Sequence, residues 1–390
     1  MEGPVTGWHF KSATISCRPH HENATQVLCS WRTGWRLTIG PCKYPCTEDD
    51  IGNLTAPYKG KWQRVSGNGS VTNITDLGYY VTGIDKIYNW QQGYNVFVNT
   101  LPDPGVFQFR YQDCCRLAVD VHTGRNVRPK YAIITEYNGG YRSDTGKPNA
   151  SPITSSLPIV QMELSCGYRF DIPYSDPDGD NQFIIIIIII IIIIRMELSC
   201  GYHFDIPYTD PDGDTVRCRW AVGDECANIC GPLPNSTLFP NCTLVIPASA
   251  HDAYQVGRYK FYAVAIMLED FPKTDITQGG VAKNGTTPLS KVPLQYVAQR
   301  KDGCICKDRP KFRNSSVTDV IPVGKNYEKQ IIATSEGGIR SINVTQLVGS
   351  IVNHIVSTDN NSYTVTVMWT PTSQQLGYTL LCYQAYDINK

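Results

Sequence analysis

Three aspartates at alternate positions, Asp210, Asp212 and Asp214 in the run DPDGD, are the residues with the clearest chemical potential in this chain. Carboxylate oxygens are the hard ligands that calcium prefers. The run lacks the distal bidentate glutamate of an EF-hand loop, so it predicts at most a partial calcium site between strands. The alternative is a plain turn, in which Pro211 takes the second position and Gly213 a positive φ. If calcium binds, we expect it to stiffen a domain junction.

Asparagine sequons are the second chemical feature. Eleven Asn-X-Ser/Thr sequons are spread over the 390 residues. Each marks a surface position that can carry an N-linked glycan once a chain enters a secretory pathway. This density predicts an extracellular or cell-surface glycoprotein. The predicted acceptors are Asn23, Asn53, Asn68, Asn73, Asn149, Asn235, Asn241, Asn284, Asn314, Asn343 and Asn360.

Cysteine usage leads to the same compartment. The chain has 15 cysteines, often in close pairs, as expected of disulfides formed under oxidising conditions. Zinc is the competing interpretation, but the sequence has no CxxC pair and no histidine cluster at ligand spacing. The disulfide candidates are Cys17, Cys29, Cys42, Cys46, Cys114, Cys115, Cys200, Cys218, Cys226, Cys230, Cys242, Cys304, Cys306 and Cys382.

Charge and motif content argue against several classes of function. Lys+Arg and Asp+Glu are both 35, so no basic excess exists to attract nucleic acid or an anionic membrane. The sequence contains no GxSxG elbow, no HExxH, no phosphate-binding glycine loop and no dinucleotide fingerprint. We therefore expect a non-enzymatic protein without a nucleic-acid partner, and with calcium as its one candidate cofactor.

A short block is written twice around a homopolymer. Met162–Asp180 returns as Met196–Asp214 with 17 of 19 positions identical, and eleven isoleucines, Ile184–Ile194, lie between the copies. The run is too short for a membrane helix of about 20 residues, so no span is predicted. One interpretation is an artefact of the sequence, which the even number of cysteines left by removing one copy favours. The other is a donor strand that completes a neighbouring subunit's sheet.

The elements that must position these residues read as β-strands. Apolar and polar residues alternate in Phe107–Tyr111, Val216–Trp220 and Tyr363–Trp369, and clusters of Gly, Pro, Asn and Asp separate such runs. No stretch keeps a helical period for twelve residues. The sequence predicts an all-β protein of tandem, disulfide-stapled, Ig-like β-sandwiches.

Composition divides the chain into three predicted domains. Residues 1–155 form a cysteine-rich β domain, and 156–300 form a sandwich that contains the doubled block and the isoleucine tract. Residues 301–390 form a second sandwich, which we expect to be truncated before further domains.

A resemblance follows from these motifs. The run FDIPYTDPDGDTVRCRWA resembles the early strands of the Ig-like and cadherin-like repeats found in tandem on large extracellular adhesive proteins. The run YKFYAVAIMLEDFP…TPLSKVPLQYVAQ is similar to closing strands in modular secreted proteins of aquatic organisms, and WTPTSQQLGYTLLCYQAYD resembles the final strands of a following sandwich. The resemblance covers about residues 157–390 and implies a structural or adhesive role. The first 155 residues resemble no family.

Together these features favour the repeating subunit of a secreted or cell-surface filament or matrix fibre. We expect head-to-tail self-association through exposed strand edges. A calcium-stiffened adhesion or recognition ectodomain is the alternative. A carbohydrate-binding protein is a third, in which N-terminal aromatic residues such as Trp31, Trp35 and Trp62 would stack on sugars instead of packing in the core.

Overall fold

The structure is a computed structural model that describes residues 10–388 with gaps. The gaps are 22, 59, 75–76, 114–115, 117–118, 121–125, 128–129, 164–183, 192–200, 206–207, 248–260, 302–309, 314–316, 346, 359–360 and 376. Strands dominate the described residues, and the helical elements among them are three 3₁₀ turns at Glu48–Asp50, Gly223–Glu225 and Ser373–Gln375. None of the described helices is long and apolar enough to cross a membrane.

The strands fall into three groups along the chain. The first group is β1 (Phe10–His20), β2 (Asn23–Arg36), β3 (Lys61–Ser66), β4 (Val71–Asn73), β5 (Tyr80–Asp85), β6 (Trp90–Thr100), β7 (Val106–Asp113), β8 (Val119–Asp120), β9 (Asn126–Val127), β10 (Tyr131–Asn138) and β11 (Ile153–Thr154). The second is β12 (Ile159–Glu163), β13 (Ile184–Ile191), β14 (Gly201–Asp205), β15 (Tyr208–Thr209), β16 (Thr215–Trp220), β17 (Thr237–Leu238), β18 (Thr243–Pro247), β19 (Phe261–Phe271), β20 (Ile276–Gln278), β21 (Val281–Lys283) and β22 (Ser290–Lys301). The third is β23 (Lys311–Arg313), β24 (Val317–Pro322), β25 (Tyr327–Thr334), β26 (Ile339–Val344), β27 (Ile351–Val352), β28 (Val356–Thr358), β29 (Ser362–Trp369) and β30 (Gly377–Asp387).

This content confirms the predicted all-β, disulfide-stapled fold. The alternating runs lie within β7, β16 and β29, whose side chains alternate between the interior and the surface. Period-two alternation works because successive side chains of a strand point to opposite faces of the sheet. Several sheets pack around apolar cores, which is consistent with β-sandwiches.

The three largest apolar cores within the described residues follow the chain order. The first contains Phe10, Trp35 and Tyr131, whose rings lie 4.2–5.7 Å apart in pairs. Cores around Leu268 and around Val367 follow. Burying one side chain such as Phe10, which is 0% exposed, stabilises the fold by about 1.5–3 kcal/mol. The division of the chain into three domains remains a prediction.

Strand β22 joins the first two groups into one sheet. It pairs with β19 over ten residues on one side. On its other side it pairs with β10 at Lys291, with β1 at Leu294 and Gln295, and with β12 from Val297 to Lys301. Hydrogen-bonded pairing therefore crosses the predicted boundary near residue 155.

The isoleucine strand β13 lies inside a sheet of the third group. It is antiparallel to β24 and parallel to β30. Because all its residues are identical, shifting it by two positions would present the same side chains to the same face, so its side chains cannot fix its register. Within this chain the tract completes the chain's own sheet. The sequence artefact and the donor strand for a neighbouring subunit both remain predictions.

The third group packs against the first. The Asn343 amide donates to Asp85 Oδ2 over 2.6 Å, and the rings of Tyr88 and Tyr386 lie 4.9 Å apart. These contacts join β26 and β30 to β5 and the turn that follows it.

A candidate metal centre at a junction

The DPDGD run forms the predicted turn. Gly213 has φ 71°, in the left-handed region that glycine tolerates, and its N–H donates to the Asp210 carbonyl over 3.3 Å. Asp210 Oδ1 accepts the backbone N–H groups of Asp212 at 3.0 Å and Asp214 at 2.9 Å. The turn thus holds the Asp210 carboxylate in place through one of its two oxygens.

Asp210 and Asp214 meet a third carboxylate, that of Asp270. One oxygen from each of the three lies within 4.8 Å of the others. Their residues are 3%, 5% and 0% exposed, respectively. Asp270 stands near the end of β19, where its Oδ1 accepts the Ser290 N–H at 2.8 Å and the Ser290 hydroxyl at 2.7 Å.

Asp212 occupies a different position from the one the sequence suggested. Its Oδ2 accepts the Ala150 N–H over 2.6 Å, and about a quarter of its side chain is exposed. The carboxylate that joins Asp210 and Asp214 is Asp270, which sequence reasoning missed. The available signal was the charged pair Glu269-Asp270 at the end of the apolar run AVAIML, where a buried charge requires a partner.

Arg142 supplies the positive charge of the cluster. The loop 141–148 is closed by the Arg142 N–H donating to the Lys147 carbonyl over 3.0 Å. The guanidinium forms a bidentate pair with Asp214, in which Nη2 donates to Oδ1 over 2.9 Å and Nη1 donates to Oδ2. It also bonds Asp144 through Nε at 3.0 Å and Nη2 at 2.7 Å.

Asn149 connects Arg142 to Asp270. Its Oδ1 accepts from Arg142 Nη1 over 2.7 Å, and its Nδ2 donates to Asp270 Oδ2 over 2.7 Å. Arg142, Asp144 and Asn149 precede residue 155, whereas the other aspartates follow it. We call this contact, between segment 142–150, the turn 210–214 and the end of β19, the junction.

Burial raises the pKa values of four aspartates at the junction, and neighbouring carboxylates add to the shift. Burial, followed by the charges of Asp270, Asp212 and Asp214, raises the pKa of Asp210 well above its usual value. Burial raises the pKa of Asp270 to about 7 and that of Asp212 to about 6, although hydrogen bonds to both carboxylates oppose it. Burial also raises the pKa of Asp214, against the effect of Arg142.

The remaining charges do not balance these carboxylates. Burial by itself would lower the pKa of Arg142, but its hydrogen bonds and the nearby aspartates outweigh burial and raise it. Lys273 acts weakly on Asp214. Five carboxylates therefore gather around one buried guanidinium, and Asp210 Oδ2 has no hydrogen-bond partner within the described part of the chain.

This donor set fits a hard divalent cation. Asp210, Asp214 and Asp270 offer carboxylate oxygens, and calcium takes six to eight oxygen ligands with tolerant geometry. An unpartnered buried carboxylate oxygen carries a large desolvation cost that a cation removes. The copy of the run at Asp176–Asp180 lies outside the described residues.

Most described sequons lie where a glycan can be accommodated. Exposed acceptors are Asn23, Asn53, Asn68, Asn73, Asn235, Asn241 and Asn284. In three of them, the asparagine Oδ1 accepts a hydrogen bond from the hydroxyl of the residue two positions later. The donors are Thr25 to Asn23 at 2.9 Å, Ser70 to Asn68 at 2.8 Å and Thr286 to Asn284 at 2.7 Å. Asn343 is half-buried against Asp85. Asn149 is 0% exposed, so its position in the folded chain contradicts the prediction of a surface acceptor. Asn314 and Asn360 lie outside the described residues.

Eight of the candidate cysteines are linked in four disulfides within the described residues. They are Cys17–Cys29 across β1 and β2, Cys42–Cys46, Cys218–Cys242 and Cys226–Cys230. The Cys42–Cys46 group also approaches Asp50, but its sulfurs are bonded to each other and so are not thiolate ligands. Cys114, Cys115, Cys200, Cys304 and Cys306 lie outside the described residues.

Cys382 corrects the prediction of a disulfide at that position. Its thiol is free and buried in β30. Burial raises the pKa of Cys382 to about 11, against the effects of Arg32, Thr345 and Ser155. A free thiol that faces the interior from a strand packs as a small apolar group and needs no disulfide.

The N-terminal tryptophans lie in the interior instead of forming a sugar-binding face. Trp31, Trp35, Trp62 and Trp90 are 5%, 2%, 3% and 1% exposed. Their rings pack on other aromatic side chains, for example Trp62 on Tyr111 at 5.1 Å. Trp8 is not among the described residues.

Comparison with known proteins gives no family for the chain. No protein-family model matches it, and no curated protein matches it either.

Proposed function

We propose that this protein is a non-enzymatic, extracellular structural glycoprotein in which a calcium ion locks the junction between the N-terminal and middle parts of the chain. The observation that carries the proposal is the buried group Asp210, Asp214 and Asp270, with Asp210 Oδ2 left without a partner among the described groups. The cation lowers the repulsion between these carboxylates and is held by them.

Calcium is the divalent cation that best suits these donors and this compartment. All three side chains present oxygen, which calcium prefers over the nitrogen and sulfur that hold zinc. Extracellular calcium modules have dissociation constants of about 10⁻⁴–10⁻³ M. The four disulfides and the exposed sequons support the extracellular location on which this range depends.

The position of the site explains why binding would stiffen the protein. Asp210 and Asp214 lie on the turn that accepts Ala150 and Arg142 from the N-terminal side. Asp270 is anchored to β22 through Ser290. A cation bound here ties the turn to the sheet, and through Arg142 and Asn149 it ties the segment 142–150 to both.

Assembly into a filament or matrix fibre is the finer part of the proposal. Strand β13 enters a sheet between β24 and β30, two strands far from it in sequence. The same backbone pairing with a strand from another subunit would link subunits head to tail. The all-exposed strand β28 offers a further edge for strand addition, with Val356 57% exposed.

Electron microscopy of the native glycosylated protein tests this function. We expect filaments with an axial repeat near one subunit length in millimolar calcium, and loosened or shortened filaments after chelation. Dispersed particles that stiffen with calcium would favour the second candidate, an adhesion or recognition ectodomain that uses the same site. Dispersed particles identical in calcium and chelator would contradict both candidates.

A further inference from the structure

Asn149 belongs to a sequon, Asn149-Ala150-Ser151, yet it lies at the centre of the junction. Both polar atoms of its side chain are in use there, Oδ1 with Arg142 and Nδ2 with Asp270, each over 2.7 Å. An N-linked glycan is attached to Nδ2 and is bulky and hydrated. At 0% exposure the nitrogen has no path along which a sugar could leave the protein.

The exposed sequons provide the contrast. At Asn23, Asn68 and Asn284, the side-chain oxygen accepts the hydroxyl two residues on and the asparagine stands at the surface. The corresponding hydroxyl of Ser151 is buried and has no hydrogen-bond partner within the described structure. Ser151 is instead held by its backbone, its N–H donating to the Cys17 carbonyl over 2.9 Å and its carbonyl accepting from Ser16 Oγ over 3.2 Å.

We infer that glycosylation of Asn149 and closure of the junction are mutually exclusive. The sugar can be attached only while the chain is unfolded or the junction is open, and once attached it keeps Arg142 and Asp270 apart. The folded protein therefore carries sugar at its exposed sequons and a bare Asn149. This inference rests on the proposed secretory route and is independent of calcium.

A first experiment treats the protein with an oligosaccharyltransferase in two states. One sample is folded; the other is reduced and unfolded in urea, which is then diluted before the enzyme is added. Site occupancy is measured by mass spectrometry of the peptides. We expect the folded chain to accept sugar at Asn23, Asn68 and Asn284 but not at Asn149, and the unfolded chain to accept it at Asn149 as well. Equal modification of Asn149 in the two states would overturn the inference. Absence of modification at every sequon in both states would count against the proposed glycoprotein and not against the junction.

A second experiment reads the junction directly. Trypsin cuts after arginine, and the Arg142 side chain is 2% exposed and held by Asp214 and Asp144, so a closed junction protects the Arg142–Ser143 bond. After refolding, chains with sugar on Asn149 should be cut there, and unmodified chains should resist. Glycosylated chains that resist as well would overturn the inference.

Two variants control for the side chain itself. Ser151→Ala removes the sequon while it keeps the Asn149 amide, and the hydroxyl it deletes has no described partner. We expect this variant to resist trypsin whatever its history of exposure to the glycosylating enzyme. Asn149→Asp replaces the donor to Asp270 with a carboxylate, so it should open the Arg142 site with no sugar present. Resistance equal to that of the unmodified chain would show that Asn149 does not hold the junction and would overturn the inference.

Discussion

Arg142 and Asp214 form a two-pronged ion pair across the junction, with side chains only 2% and 3% exposed. A buried pair of this kind stabilises a protein only when its other polar atoms are bonded as well. Arg142 meets that condition through Asp144 and Asn149. Asp210 does not, because its Oδ2 lacks a partner among the described groups. The ion pair therefore lies beside a buried carboxylate oxygen that it leaves without a partner within the described structure.

Replacing Arg142 tests how much the ion pair with Asp214 stabilises the protein. Arg142→Gln removes the one guanidinium from a group of five carboxylates and leaves buried charges unpaired. We expect the free energy of unfolding to fall by about 3–5 kcal/mol in urea titrations monitored by tryptophan fluorescence. Arg142→Lys keeps the charge but loses the fork that fits Asp214, so it should recover only part of the loss.

Arg219 provides a matched control for this experiment. It also bonds two carboxylates, Glu225 at 2.7 Å and Glu269 at 2.8 Å, but a third of its side chain is exposed. Solvent screens such a pair, so Arg219→Gln should cost about 1 kcal/mol. Equal losses of unfolding free energy in Arg142→Gln and Arg219→Gln would show that the buried junction pair stabilises the protein no more than the partly exposed one.

A single substitution distinguishes the structural role of Asp212 from a role in calcium binding. Asp212→Ala deletes the acceptor for the Ala150 N–H, which should lower the free energy of unfolding by about 1 kcal/mol. Because Asp212 is not one of the three clustered carboxylates, the variant should still gain stability from calcium. Thermal melts in calcium and in chelator measure both effects, and loss of the calcium response would place Asp212 among the ligands.

Lys11 should produce a pH-dependent stability. Burial, aided by Arg36 and opposed by Asp85, lowers the pKa of Lys11 from 10.5 to about 7. Above pH 7 the folded chain has released a proton that the unfolded chain keeps until near pH 10.5, so this residue's contribution to stability rises with pH. The expected rise between pH 7 and pH 9 is about 2 kcal/mol.

Lys11→Met should abolish that rise in urea titrations across the same pH range. Lys86→Met is the control, since Lys86 is 62% exposed and pairs with the exposed Glu48. A wild-type curve that parallels the Lys11→Met curve would show that the Lys11 amine is solvated.

Cys382 should be unreactive while the chain is folded. Its thiol is buried and burial raises its pKa to about 11, so little thiolate forms at pH 8. Iodoacetamide followed by peptide mass spectrometry should label Cys382 in urea but not in native buffer. Labelling in native buffer would mean that β30 opens readily.

Local patterns in the sequence predicted local structure well. Alternation located β7, β16 and β29, and the composition of DPDGD predicted the left-handed glycine at Gly213. These features depend on neighbours in sequence, through side-chain alternation and steric limits on φ.

The site itself depends on residues that only the fold brings together. Asp270 reaches the turn 210–214 because β16, which begins directly after that turn, pairs with β19. Arg142 reaches Asp214 because loop 141–148 lies against the turn. A sequon motif likewise carries no information about burial, so it predicts a surface position for Asn149, which the fold buries. A homopolymer such as Ile184–Ile194 carries too little information to place a strand at all.

The most direct test of the calcium-locked junction is a calorimetric melt of the wild-type protein and Asp210→Asn, each in calcium and in chelator. The asparagine keeps the acceptor for Asp212 and Asp214 and replaces the unpartnered oxygen with a donor toward the other carboxylates. In chelator, Asp210→Asn should therefore melt above the wild type. Calcium at ten times its dissociation constant should stabilise the wild type by about 1.4 kcal/mol and leave the variant unchanged. A wild-type melting temperature that is the same in calcium and chelator would contradict the account.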